Sequence, residues 1–278
     1  MAKTQRTKSE ASRTDAGGFH DRICNLIPSV GTERDWDIQV ARAAAPGAAV
    51  AAAIPDQVDL RAPWWKVNDQ SNTGSCVGWA SADGVLRYHL VKANRLPPGV
   101  LLSARFVWMA SKETDVFISR PQTFIEEAGT QLKAAMDVLR KYGCVKDDEL
   151  PFSLGTRMFV GAENAFYYAA SLNRITNYIN LGRDLDDWKE WLATRGPILA
   201  GLTVDASWYN ASATGGKLDK KAGSVGGGHA VCIVGYRKDG RFIIRNSWGK
   251  SWGDDGFGYA SPKYITDLFY GESYGVTL

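Results

Sequence analysis

Gln70-Ser71-Asn72-Thr73-Gly74-Ser75-Cys76 runs directly into a helical pattern, and the reading of that junction decides the fold. Downstream of it, Val77, Ala80, Val85, Leu86, Leu90 and Val91 recur at helical spacing, and Leu96-Pro97-Pro98-Gly99 ends the run. The pattern predicts a helix over 75–94 with Cys76 in its first turn. A helix N-terminus presents unpaired N–H groups and about half a positive charge, and both favour thiolate over thiol. A neighbouring imidazolium would lower the pKa further. Taken alone, a cysteine in a helix is more often a small buried hydrophobe, so the thiol gains meaning only if the chain also supplies a base.

His229 is the candidate. It follows Gly226-Gly227-Gly228 and opens the apolar run Ala230-Val231-Cys232-Ile233-Val234, which reads as a strand. The glycines allow another backbone to come close to it. A metal pair with Cys232 is disfavoured, because residues three apart on a strand face opposite sides. Asn246 ends a second short apolar run, Phe242-Ile243-Ile244-Arg245, joined to the first by Lys238-Asp239-Gly240, a hairpin turn in which Gly tolerates positive φ. That hairpin predicts the Asn246 carboxamide beside the imidazole, its oxygen accepting one ring N–H while the other nitrogen faces the sulfur. Trp248 is expected to lie over this hydrogen bond and exclude water.

These segments together resemble the papain-like cysteine peptidases. Gln70 to Cys76 resembles that family's nucleophile segment, and Gly228-His229-Ala230-Val231 resembles its histidine motif. Asn246-Ser247-Trp248-Gly249-Lys250-Ser251-Trp252-Gly253 resembles its asparagine motif, and Pro55-Asp56-Gln57-Val58-Asp59-Leu60-Arg61 the start of its mature domain. The order Cys, His, Asn matches, with the histidine downstream by close to the family's usual interval of about 130–150 residues. The resemblance implies an α+β fold of two lobes, helical on one side and antiparallel β-barrel-like on the other, with the site in the cleft between them. It implies catalysis by Cys76, His229 and Asn246, with Gln70 as an oxyanion-hole donor. It also implies that Gly129 pairs with an extended peptide, that Ala230 lines the pocket for the residue second from the scissile bond, and that Trp248 belongs to the substrate-binding surroundings. Thr73 stands where many members have a disulfide cysteine, and Val77 where an aromatic usually follows the nucleophile. Those departures point to the bacterial cytoplasmic-type branch, in which a short segment resembling Glu33-Arg34-Asp35-Trp36 precedes the mature-like start; removal of a long helical propeptide is not expected.

The remainder of the chain sets bounds. Its 278 residues suffice for a substantial core, and 33 basic against 30 acidic residues give +3, too little to imply nucleic acid or an anionic membrane as partner. Four scattered cysteines without a CxxC pair read as reduced thiols, and three histidines argue against a His-rich metal site. No cofactor or metal is expected; the expected partner is a peptide or protein substrate. The polar, basic stretch 1–18 lacks an apolar core and reads as a disordered tail rather than a secretory signal, and no apolar run reaches membrane-spanning length, so a cytoplasmic location is expected.

Residues 1–54 read as an extension, with 41–53 as an Ala-rich linker broken by Pro46 and Gly47. Residues 55–278 read as the peptidase domain, with a helical lobe over 71–165 and a β lobe over 166–278 plus 55–70. Further helices are predicted over 103–112, capped by Ser103, over 130–142, capped by Thr130, and over 184–195. The apolar positions of Phe19 to Val40 suggest a segment that packs across the domain and partly covers the cleft. Two alternatives to a peptidase are papain-fold acyl transfer or amidase chemistry, and an inactive peptide-binding module.

Overall fold

The computed structural model describes residues 21–44, 54–115, 125–154 and 159–278. The tail over 1–18 and the linker beyond Ala44 lie outside these residues. What precedes them, Ile38–Ala44, is helix α1 rather than linker.

The helix that begins at Cys76 is one rod in three parts: α2 (Cys76–Gly78), a π-helical stretch (Trp79–Leu86) and α3 (Arg87–Lys92). Helical periodicity predicts the rod but not the wider turn in its middle. π-Helical turns concentrate at functional sites, where they re-aim side chains. Two glycines let the rod pack closely. A Cβ at Gly78 would stand 2.3 Å from the Ala104 carbonyl oxygen, and one at Gly84 would stand 3.0 Å from Cys232 Cβ.

Two further helices complete the helical half, α4 (Ala104–Thr114) and α5 (Leu132–Lys141). Ser103 caps α4 as expected, its hydroxyl accepting from Phe106 N at 3.0 Å. Thr130 does not cap α5. Gln131 holds that position, while the Thr130 hydroxyl donates to Asp115 Oδ2 at 3.0 Å. Helices α6 (Glu163–Ser171), α7 (Leu185–Thr194), α8 (Ala206–Tyr209) and α9 (Pro262–Leu268) follow, with Asp184 capping α7 through Asp186 N.

The second half is a sheet of β1 (Val58–Asp59), β2 (Asn177–Asn180), β3 (Ile198–Asp205), β4 (Lys217–Leu218), β5 (Val225–Tyr236), β6 (Phe242–Arg245), β7 (Phe257–Ala260) and β8 (Phe269–Thr277). Its order is β2-β8-β3-β5-β6-β7-β4, with β1 added on β5; every pair is antiparallel except β4 with β7. The α+β plan with a mostly antiparallel sheet is as expected, and among the described residues the sheet is open. Its end strands are short and do not pair with each other, and the outer edge of β2 is occupied from elsewhere: Asn180 N donates to Trp36 O at 2.8 Å. An edge covered in this way is protected from pairing with a second chain. The β5–β6 hairpin forms as predicted, with Gly240 at φ +82° and Arg237 N donating to Arg241 O at 2.9 Å.

A buried ion network ties the halves together. Asp83, on the π-helical stretch, accepts from Arg87 Nη1 at 2.8 Å and from Arg245 Nη2 at 2.6 Å, and all three side chains are buried. Burial alone would raise the Asp83 carboxyl, but Arg245 and Arg87 hold it below the ordinary carboxylate value. Arg245 immediately precedes Asn246, so this contact sets the register of the strand end that carries the site. Asp83→Ala strands two buried guanidinium groups. The expected loss is about 3–5 kcal/mol of folding stability, read from the midpoint of urea denaturation.

Candidate active site

The chain brings Gln70, Cys76, His229 and Asn246 to the junction of the two halves. All four are buried. Segment 68–70 zips against 247–249: Gln70 N donates to Ser247 O at 2.8 Å and Gly249 N to Asn68 O at 3.1 Å. This pairing places the loop that leads into Cys76 beside the end of β6.

The imidazole is held as its placement on the hairpin suggested. His229 Nε2 lies 2.8 Å from Asn246 Oδ1, and the same oxygen accepts from Ser247 N at 2.8 Å. An oxygen that accepts both requires Nε2 to carry the proton, which leaves Nδ1 with its lone pair. Nδ1 is buried and has no hydrogen-bond partner among the described residues. Trp248 packs on the imidazole with ring centroids 5.2 Å apart, and Trp208 meets it edge-on at 5.6 Å. Trp248 is fully buried and shields the ring.

Cys76 starts α2, and the backbone amide of Ala230, the residue after His229, is close enough to favour its thiolate. The electrostatics differ from the helix-terminus expectation. Burial pushes the Cys76 thiol up to about 11, only partly offset by the amides of Ala230, Val77 and Cys76 itself. Burial also lowers His229 to about 4, against the opposing hydrogen bond from Asn246. The pair is therefore neutral thiol and neutral imidazole across the whole range between these values. Desolvation outweighs the helix N-terminus here.

Part of that desolvation comes from residues 22–27, which run through the groove. Ile23 O accepts from Gln70 Nε2 at 3.3 Å, at the donor expected to hold an oxyanion. Leu26 N donates to Gly228 O at 2.9 Å, and Ile27 N donates to Thr130 O at 3.1 Å, so the segment bonds to both walls. Gly129 and Gly227 lack side chains because this backbone passes over them. A Cβ would lie 1.9 Å from Asn25 O at Gly129 and 1.6 Å from Cys24 O at Gly227. Leu26 is 3% exposed and packs towards Gly201, the strand partner of Ala230. Arg22 pairs with Asp69 through both carboxylate oxygens. Beyond the groove, Ser29 N donates to the buried Glu272 at 3.0 Å, Lys133 pairs with Asp35, and Tyr274 OH donates to Asp35 at 2.9 Å. The segment resembling Glu33-Arg34-Asp35-Trp36 is thus the anchor of the strap.

Sequence reasoning missed Ser247. Its hydroxyl donates to Gln70 Oε1 at 2.7 Å, which fixes the amide so that Nε2 points into the groove, where it also donates to Thr73 O at 2.9 Å. A serine between Asn246 and Trp248 carries no local signal of that role. Ser247→Ala frees the amide to turn its oxygen inward. The expected result is a kcat lowered about 2- to 10-fold with KM little changed, the range of one neutral hydrogen bond, measured by steady-state hydrolysis of a peptide amide.

A thiol at a helix start and an Asn-locked imidazole on a sheet, where a helical half abuts an open, mostly antiparallel sheet, define a papain-like cysteine peptidase fold. The chain belongs to the papain family: the model of the papain family cysteine proteases matches residues 54–265. It is 29% identical to cathepsin B-like CP3 of Giardia intestinalis over 278 aligned residues, covering 91% of this chain and 83% of that one. It is 28% identical to macrodontain-1 of Ananas macrodontes, covering 74% of this chain and 88% of that one. Among solved structures, xylellain, a cysteine protease from Xylella fastidiosa, aligns with a TM-score of 0.74 at 25% identity, covering 92% and 96% of the two chains. The protein is a cysteine-type peptidase. Among the described residues, no helix is long and apolar enough to cross a membrane.

Proposed function

We propose that the chain hydrolyses peptide bonds through a Cys76–His229–Asn246 triad and a thioester acyl-enzyme, and that residues 22–27 hold the resting site closed. His229 Nδ1 takes the Cys76 proton, the sulfur attacks the substrate carbonyl, and the imidazolium returns the proton to the leaving amine. Water activated by the same imidazole then releases the acyl group. Asn246 fixes the tautomer that leaves Nδ1 free. The Gln70 amide and the Cys76 backbone N–H stabilise the tetrahedral oxyanion, each such donor contributing about 10²–10³ in rate.

The observation that carries this reading is the unpartnered, buried Nδ1 of His229, whose other nitrogen is locked by Asn246. Extended main chain already lies in the groove with a carbonyl on Gln70, which supports a peptide as substrate. The matched span starting at residue 54 supports reading 1–54 as an extension and 55–278 as the catalytic unit. Four free thiols suit a reducing compartment such as the cytoplasm.

The test is covalent labelling. The protein is incubated with a thiol-directed peptidyl epoxide and digested with trypsin, and the adduct is located by mass spectrometry. The expected adduct sits on Cys76 and appears faster when the strap is weakened. Labelling confined to Cys24, Cys144 or Cys232 contradicts the reading.

A further inference from the structure

The strap carries a thiol across the nucleophile. Cys24 lies between Ile23, whose carbonyl rests on Gln70, and Asn25, whose carbonyl rests over Gly129. The first of those contacts falls on Gln70, in the loop that leads into Cys76. On the opposite wall the Cys24 backbone presses on Gly227, two residues before His229. Cys24 is half-buried and Cys76 fully buried, and both are free thiols. Burial raises the Cys24 thiol and the nearby Cys76 raises it further, so the two groups lie within each other's electrostatic reach.

From this arrangement we infer that Cys24 and Cys76 form a reversible disulfide that locks the strap over the active site under oxidising conditions. The inference rests on the reading of Cys76 as the nucleophile and adds a modification site on the strap. A dry groove penalises a thiolate, which is why both thiols are pushed up here, but a disulfide is neutral and bears no such cost. The closed state therefore suits the oxidised pair better than the ionised one.

The oxidant is a low-molecular-weight disulfide, and the chemistry is two exchanges. With the strap lifted, the Cys76 thiolate attacks one sulfur of the oxidant; a Cys76 mixed disulfide forms and one thiolate departs. When the strap returns, the Cys24 sulfur attacks the Cys76 sulfur, and the second small thiol leaves with the proton that Cys24 gives up. In sum, two protein thiols and one small disulfide become one protein disulfide and two small thiols. Excess reductant reverses both steps. Cytosolic disulfides, where they occur, are characteristically transient and regulatory.

The test is a disulfide map of the full chain. The protein is incubated with glutathione disulfide, blocked with an alkylating agent, digested with trypsin without reductant and analysed by mass spectrometry. Trypsin frees residues 23–34, containing Cys24, and residues 67–87, containing Cys76, each with a single cysteine. The expected product is the 23–34/67–87 cross-linked pair, abolished by dithiothreitol and absent from Cys24→Ser. Recovery of Cys76 only as a glutathione mixed disulfide, or of Cys24 joined to Cys144 or Cys232, overturns the inference. The map needs no catalytic turnover. If the cross-link is missing while Cys76→Ala abolishes hydrolysis, the lock falls and the peptidase reading stands. If the cross-link forms while labelling and hydrolysis fail, the reverse holds.

Discussion

Replacing Cys76 with alanine lowers kcat for peptide hydrolysis by at least about 10⁴-fold, and His229→Ala does so to a similar degree. In the proposed mechanism both changes remove one member of a unit in which proton transfer and attack depend on each other. The double variant is therefore expected to lose little more than either single one. Neither change should unfold the chain. The Cys76 sulfur is small, and the ion network through Asp83, Arg87 and Arg245, which joins the two halves, is untouched. Circular dichroism and the urea midpoint monitor that point. A hydrolysis rate that survives Cys76→Ala within about tenfold would remove the thiol from the mechanism.

The second large effect runs in the opposite direction. Leu26→Asp raises kcat/KM at least about tenfold. Leu26 is the strap's best-buried anchor in the groove, and burying a leucine contributes about 1.5–3 kcal/mol. Each 1.4 kcal/mol of lost docking free energy increases the open fraction about tenfold while the closed state dominates. A chain beginning at Ala53 should show the same gain. The released site should also ionise more readily, since water returns to the thiol and the burial that holds Cys76 near 11 and His229 near 4 is relieved. The ultraviolet absorbance of the thiolate at neutral pH is expected to rise with activity. Equal rates for the native chain and both variants would show that the strap does not inhibit.

Much of this molecule can be read in particular residues. The Ser103 cap was legible because a short polar side chain before an apolar pattern has one mechanical use. Gly240 betrayed the hairpin that sets His229 and Asn246 side by side. Thr130 misled because its hydroxyl found Asp115, a partner fifteen residues away that local pattern does not reveal. Strand β8 escaped because Gly271 and Gly275 interrupt its apolar alternation. Gly275 is small because Trp191 lies 2.0 Å from where its Cβ would be, a tertiary requirement.

The depressed thiol pKa expected from the helix start also failed for a tertiary reason. The strap and the sheet remove the water on which ionisation depends. The strap's path is written mainly in backbone hydrogen bonds, which leave no side-chain signature. Its traces are the glycines at 129 and 227, where a passing main chain leaves no room for a Cβ. The expectation that residues 19–40 dock across the cleft came from their apolar positions; the contacts of residues 22–27 give it a route.

The most direct test of the account is to trap the covalent intermediate. Strap-weakened protein is mixed with a peptide ester, quenched in acid within the first turnover and mapped by mass spectrometry. The account predicts the acyl group as a thioester on the 67–87 tryptic peptide at Cys76, absent from Cys76→Ala. Substrate turnover with no acyl adduct on that peptide, or with one on a different residue, would contradict it.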